Sequence, residues 1–410
     1  MDIAIVGAGQ AGVSLATRLR NLKHDGMISL IGEEPVAPYQ RPPLSKHYLL
    51  GDKSFDSLLL KPASFYDEQS IALLTGRQVT RIDRDNQRLE FSDGTTHGYD
   101  ALALTTGSIA RTLPAEVGGA LKGVFTLRSA QDVDEISATL FATGERPDGK
   151  QGRVLIVGGG YLGLEAAASA TKRGLQVTLI EMGTRILQRV AGAETSAFFR
   201  KMHHDHGVDL REGVGLDHLI GTDRVRGARL SDGSELDVDV VIVAIGVGAN
   251  AALAEQAGLE VENGIVVDEL CRTSDANIFA AGDCTFFPHG DSRIRLESVG
   301  NAIAQAEASA GTITGGENPY VAKPWFWSDQ YDAKLQIAGL NIGYDRVVTR
   351  NGASDSPSFW YFRGDALLAV DAVNDGRAYM AGKKLIEMGR TADPDAIADP
   401  GHDLKLLLRP

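Results

Sequence analysis

Apolar residues along this chain fall into short unbroken runs and longer stretches at helical spacing. Residues 3–6 and 154–157 are runs of aliphatic side chains with no polar alternation, the pattern of strands buried on both faces. Each enters a glycine cluster and leaves it as small and apolar residues spaced for a helix packed on a sheet. Two further runs, 28–31 and 177–180, predict the next strand of each unit. Residues 35–43 are Pro-rich and irregular, and strand-rich sequence over 78–106 ends at Thr105-Thr106-Gly107-Ser108. Ser129-Ala130-Gln131-Asp132 has the form of a capping box, with Asp in the place of Glu, and predicts a helix start. Strands over 225–230 and 238–245 close the second unit, and residues 246–250 lead out of it. Residues 278–283 form an apolar strand ending in Gly-Asp, and 299–311 carry an alanine-rich helical pattern. Beyond Pro319 the texture becomes aromatic, with all three tryptophans, Trp325, Trp327 and Trp360, in one segment. Short antiparallel strands are predicted at 335–337, 346–348, 358–362 and 367–370, then a helix over 376–388 and a charged surface tail after Arg390.

The glycine clusters are two copies of one fingerprint, Gly7-Ala8-Gly9-Gln10-Ala11-Gly12 and Gly158-Gly159-Gly160-Tyr161-Leu162-Gly163, 151 positions apart. In such a unit the first glycine makes the tight turn and the second admits a pyrophosphate to the backbone. The third lets helix pack on strand while the helix N-terminus offers N–H groups to the anion. Each copy is completed by an acid at the end of the following strand, Glu33, 21 residues past Gly12, and Glu181, 18 past Gly163. That is where a ribose hydroxyl needs an acceptor. Two dinucleotide sites in one chain suggest a flavin that exchanges electrons with a nicotinamide. Gly7, Gly9 and Gly12 are expected to face the FAD pyrophosphate and Glu33 the adenosine ribose, with Glu34 as the alternative. Asp283 is expected on a ribityl hydroxyl, with Thr106 and Arg41 also in the FAD site. Gly158, Gly160, Gly163 and Glu181 are expected to hold NADH. Glu181 would repel a 2′-phosphate and so favours NADH over NADPH, although Arg185, four residues on, is a possible counterweight.

Composition narrows the picture further. The chain has 410 residues, 43% hydrophobic, 47 glycines and a net charge of −13. Such a charge argues against broad binding to nucleic acid or anionic membranes. No apolar stretch reaches the ~18 residues of a bilayer span. The first strand starts near Asp2 without a basic and apolar leader, so a cytoplasmic protein is expected. The only cysteines, Cys271 and Cys284, form no CxxC pair, which excludes a dithiol-based disulfide reductase and predicts two buried thiols. His203 and His206 share a helical face without a third ligand at sensible spacing, so no metal site and a solvated face are expected. Hydrolase elbow and Walker A patterns are absent.

Five motifs in order then carry a resemblance over nearly the whole chain. They are Tyr39-Gln40-Arg41-Pro42-Pro43-Leu44-Ser45-Lys46, the Gly158 fingerprint running into Leu164-Glu165, Gly282-Asp283, Glu297-Ser298-Val299-Gly300-Asn301-Ala302, and Pro324-Trp325-Phe326-Trp327-Ser328-Asp329-Gln330. Together they resemble the FAD-dependent, NADH-consuming ferredoxin reductases of bacterial cytochrome P450 and Rieske-type oxygenase systems. The resemblance implies an α/β, glutathione-reductase-like fold: an FAD domain over 1–112 and 247–318, an NADH domain over 113–246 and a C-terminal α+β domain over 319–410. It implies Lys46 beside the flavin with Glu165 as its partner, Trp327 lining the flavin toward the acceptor, and a helix opening at Val299 aimed at the flavin edge. The implied partner is a transiently bound, acidic [2Fe–2S] ferredoxin, docked on basic residues such as Arg293 and Arg295, and the reductase itself a monomer or weak homodimer. Two alternatives stay open: a reductase of rubredoxin or a quinone, and an interaction flavoprotein like the apoptosis-inducing-factor relatives.

Overall fold

Both fingerprints end the central strand of a five-stranded parallel sheet, and the two sheets differ in whether one edge strand comes first or last in the chain. The computed structural model describes residues 1–144, 151–352 and 356–409, the side chains of 141–144 excepted. The chain divides into two compact units, Met1–Gln40 with Phe55–Ile109 and Val247–Pro324, and Arg41–Ser54 with Ala110–Gly246 and Trp325–Pro410.

In the first unit, Ile3–Val6 lies between Ile28–Ile31 and Ala101–Leu104, with Ile71–Leu74 and Ile278–Ala280 at the edges. The side chains of Ile3–Val6, Ile28–Ile31 and Ala101–Leu104 are buried throughout, Ser29 included, as strands covered on both faces require. Helices Gln10–Asn21 and Val299–Ile313 pack through Ala11, Leu15, Ala302, Ala306 and Ala310, where small side chains let the backbones approach. An antiparallel meander of Val79–Asp83, Arg88–Phe91 and Thr96–Gly98 fills the stretch expected to be strand-rich.

The second unit repeats the plan. Arg153–Val157 lies between Gln176–Glu181 and Val240–Val243, with Asp209–Glu212 and Val124–Thr126 at the edges. Its meander is Leu216–Gly221, Val225–Leu230 and Glu235–Asp237. The capping box forms as expected: the Ser129 hydroxyl accepts from the Asp132 amide at 3.1 Å and the Asp132 carboxylate accepts from the Ser129 amide at 2.8 Å. The same unit contains a five-stranded antiparallel sheet in the order Trp325–Gln330, Ala333–Gly339, Ala366–Val373, Pro357–Arg363, Arg346–Asn351. Helix Gly376–Glu387 covers it through Ala378, Ala381 and Leu385 on Trp360 and Val370. Four of these strands contain the expected segments. The aromatic run at the edge is a fifth.

The tail after Arg390 departs from expectation. Ile397 and Leu404 are core residues, and the buried Arg350 guanidinium donates to the carbonyls of Ile397, Asp399, Pro400 and His402 at 2.5–3.0 Å. A charge-rich composition hid an apolar contact every few residues and a cation that satisfies the irregular backbone.

Candidate active site

In the first unit the glycines divide the work of a phosphate cradle. Gly7 has φ +115°, and a Cβ there would lie 2.2 Å from the Thr105 carbonyl oxygen; one at Gly12 would lie 2.1 Å from the Gly7 carbonyl oxygen. A Cβ at Gly9 would meet nothing within 4 Å. Gly9 precedes helix Gln10–Asn21, whose first turn has no side-chain cap, so its amides face that open space. Gly282, with φ +88°, brings the strand end carrying Asp283 to Ala11 and Ala302, 3.1 and 3.7 Å from where its Cβ would be. Thus the first-fingerprint helix, Asp283 and the helix starting at Val299 converge. The Ser108 hydroxyl donates to Asp283 at 3.3 Å, the Thr106 hydroxyl to the Asn250 carbonyl at 2.5 Å, and the Gln78 amide to Glu33 at 2.9 Å. Ser298 caps the Val299 helix by accepting from the Asn301 amide. Glu34 takes the Tyr39 hydroxyl at 2.5 Å.

The second unit contains the same cradle. Cβ atoms at Gly158 and Gly163 would lie 2.4 Å from the Ala244 oxygen and 2.0 Å from the Gly158 oxygen, whereas one at Gly160 would meet nothing within 4 Å. Helix Tyr161–Lys172 again starts without a side-chain cap. Glu181 accepts the Gly159 amide at 2.7 Å and the Gly183 amide at 2.6 Å, so it is fixed beside the fingerprint and keeps further lone pairs for a ribose. One Arg185 nitrogen donates to the Ala191 and Gly192 carbonyls and the Ser196 hydroxyl at 2.7–3.1 Å. That commitment ties up one of its three guanidinium nitrogens.

Glu165 lies one turn into this helix and is 6% exposed. Lys46, on the turn Leu44–Tyr48, places its ammonium 3.0 Å from one Glu165 oxygen and 4.0 Å from Asp329. The Ser328 hydroxyl donates to the same Glu165 oxygen at 2.6 Å and the Ser45 hydroxyl to the other at 2.5 Å. Burial pushes the Glu165 pKa up, opposed by the Lys46 charge and the two serine hydroxyls. Trp327, half-buried, adjoins Ser328 on its strand and stacks on Trp325 with ring centroids 5.4 Å apart. Arg41 donates to the Arg128 carbonyl at 2.7 Å.

The chain as a whole is similar to known proteins. Residues 1–306 match the family described as pyridine nucleotide-disulphide oxidoreductase, and residues 325–408 match one described as reductase C-terminal. The chain belongs to the pyridine nucleotide-disulphide oxidoreductases. Within that family it is 42% identical to rhodocoxin reductase of Rhodococcus erythropolis, covering 100% of this chain and 94% of that one. It is 43% identical to the 5,5′-dehydrodivanillate O-demethylase ferredoxin reductase subunit of a Sphingobium species, over 99% and 98% of the two chains. Among solved structures, a covalent putidaredoxin reductase–putidaredoxin complex superposes with a TM-score of 0.93 at 39% identity, over 99% of this chain and 98% of that one. The cofactors are FAD and NAD(H), and the resemblance read from the five motifs holds for fold and family.

The residues present fit those cofactors: each cradle leaves room where a glycine faces an uncapped helix start. In the first unit the buried Arg295 Nε finds no partner among the described residues. The disulphide in the family's name has no counterpart here. Cys271 and Cys284 are separately buried, and burial pushes the Cys271 thiol up to about 12.

Two expectations need correction. Arg295 is not a docking residue, because its side chain is 8% exposed and pairs with Glu297; Arg293 is exposed but donates to the Val267 carbonyl at 2.6 Å. The His203 face is not solvated. His203 is fully buried and shares a hydrogen bond with Gln330 at 2.9 Å, while exposed His206 stacks on Tyr331 at 3.7 Å. That cover comes from a strand more than a hundred residues away. Among the described residues no three His, Cys, Asp or Glu side chains converge as a metal site, and no helix is long and apolar enough to cross a membrane.

Proposed function

We propose that this oxidoreductase takes reducing equivalents from NADH and passes them singly to a [2Fe–2S] ferredoxin that serves a cytochrome P450 or Rieske-type oxygenase. The observation carrying this reading is the buried Lys46–Glu165 pair, one turn beyond the second cradle, in a chain without a redox dithiol. When bound, FAD supplies the conversion of a two-electron donor to one-electron transfer.

The chain's own residues do the rest. Gly7, Gly9, Gly12, Glu33, Arg41, Thr106, Asp283 and the Val299 helix hold FAD within residues 1–112 and 247–318. Gly158, Gly160, Gly163 and Glu181 hold NADH within residues 113–246. Lys46 presents a positive charge to the reacting rings, and Glu165 fixes that charge in place while water is excluded. Trp327, from the C-terminal residues 319–410, lines the path toward the acceptor. The partner is an acidic ferredoxin bound transiently, drawn in part by Arg293, and the reductase works as a monomer or weak homodimer in the cytoplasm. The likeness to proteins named for ferredoxin reduction supports the acceptor class.

Steady-state NADH oxidation with a [2Fe–2S] ferredoxin, compared with rubredoxin, a quinone, ferricyanide and oxygen, tests the reading. Ferredoxin turnover well above the oxygen background is expected. Rapid dye reduction without ferredoxin turnover overturns it.

A further inference from the structure

A buried row of polar side chains extends from Glu165 to a histidine with no place in the chemistry above. Ser328 donates to Glu165 at 2.6 Å, the Gln330 amide lies 3.0 Å from the Ser328 hydroxyl, and His203 Nε2 lies 2.9 Å from Gln330 Oε1. Glu165, Ser328, Gln330 and His203 are all buried.

The direction of this row follows from proton counting. An ionised Glu165 only accepts, so the single Ser328 hydroxyl hydrogen goes to it and Ser328 can only accept from Gln330. The amide NH2 of Gln330 therefore faces Ser328 and its carbonyl faces His203. His203 must then carry its proton on Nε2. Its Nδ1 is buried with no partner among the described residues, so a second proton there would leave an imidazolium N–H unpaired. Burial correspondingly pushes the His203 pKa down to about 4.

We propose that His203 and Gln330 are positioning residues: through Ser328 their one-way row of donors holds Glu165 as a carboxylate turned to Lys46. The inference rests on the proposed role of the Lys46–Glu165 pair. Around Glu165 stand Lys46, Asp329 beyond it, and Tyr161, whose buried hydroxyl feels both Glu165 and Asp371. His204 lies on the His203 helix, Ala193–Asp205, His206 follows its last residue, and the Tyr331 ring packs edge-on to His203 at 5.2 Å. None of these offers His203 Nδ1 an acceptor. Loss of the row weakens the donors on the carboxylate, so Glu165 takes up a proton at higher pH.

The test has two arms on the FAD-loaded protein. Long-range ¹H–¹⁵N NMR should show His203 as the Nε2–H tautomer, unchanged from pH 5.5 to 8.5; an Nδ1–H tautomer, or titration in that range, overturns the row whatever the activity. Anaerobic stopped-flow reduction by NADH should show an acid limb about 1 pH unit higher in His203→Phe and Gln330→Leu, and near wild type in His203→Gln, whose amide restores the donor. That shift is about a tenfold slower reduction on the limb. Phe and Gln variants with the same pH profile, differing at most in Tm, overturn the positioning role. Glu165→Gln in the same assay separates the underlying reading: undiminished reduction there removes the role of Glu165, while the NMR arm still judges the row.

Discussion

Replacing Gly160 by alanine separates the two jobs of a fingerprint. Gly160 has φ −80° and ψ −175°, values that any residue adopts, and its new Cβ would meet no protein atom within 4 Å. The folded, NADH-free protein should therefore lose nothing and gain about 0.4–1 kcal/mol from a less flexible unfolded chain, raising Tm by about 1–3 °C. In the proposed binding mode the same methyl fills the space where the NADH pyrophosphate would approach the helix start. An intruding methylene costs about 1–3 kcal/mol, which weakens NADH binding about five- to 150-fold. Differential scanning fluorimetry of the FAD-loaded protein and an anaerobic stopped-flow titration with NADH read the two effects separately. Unchanged NADH affinity at an unchanged Tm would falsify the assignment of this cradle. Gly163→Ala is the control: its Cβ would lie 2.0 Å from the Gly158 oxygen, so folding itself should fail.

Other expectations concern charge. Lys46→Met leaves Glu165 buried without its counter-ion, so urea unfolding should show a loss of about 3–5 kcal/mol. Lys46→Met/Glu165→Gln should regain most of that stability yet remain slow in flavin reduction by NADH; recovery of the rate would count against the pair's role. Asp371 accepts from Thr195 at 2.6 Å and Tyr361 at 2.7 Å, and burial raises its pKa from 3.8 to about 6. Because the folded value is the higher, this group favours the folded state only while protonated, and the benefit is lost as pH rises through about 6. Relative to Asp371→Asn, the parent protein should gain on the order of 1 kcal/mol on going from pH 7.5 to 5, and parallel stability curves would rule this out. Ferredoxin turnover should fall as salt rises from low to physiological strength, and a flat response would exclude electrostatic docking.

Local features were the legible ones. Both cradles could be located because turn, acid and apolar strand lie within about 30 residues of one another and each follows from backbone geometry. The capping box at Ser129 was readable for the same reason. The Trp325–Gln330 strand was not, because Ser328 and Gln330 interrupt its apolar pattern. They are buried because they serve Glu165 and His203, 163 and 127 residues away. Likewise Arg295 reads as a surface cation until its burial beside Glu297 is known. Lys46 and Glu165 came from family resemblance; spacing alone gave no reason to pair them.

The two sheets are completed at opposite times during synthesis. The edge strand Val124–Thr126 precedes the rest of its sheet in the chain, so that layer has all its pieces once Val243 leaves the ribosome. The layer begun by Ile3 must wait for Ile278–Ala280, and until then Ala101–Leu104 has one bare hydrogen-bonding edge. Of the two parallel sheets, the one that starts the polypeptide is thus finished last. A nascent chain stalled before residue 278 would expose a sticky apolar border there, the place where a chaperone would first be needed.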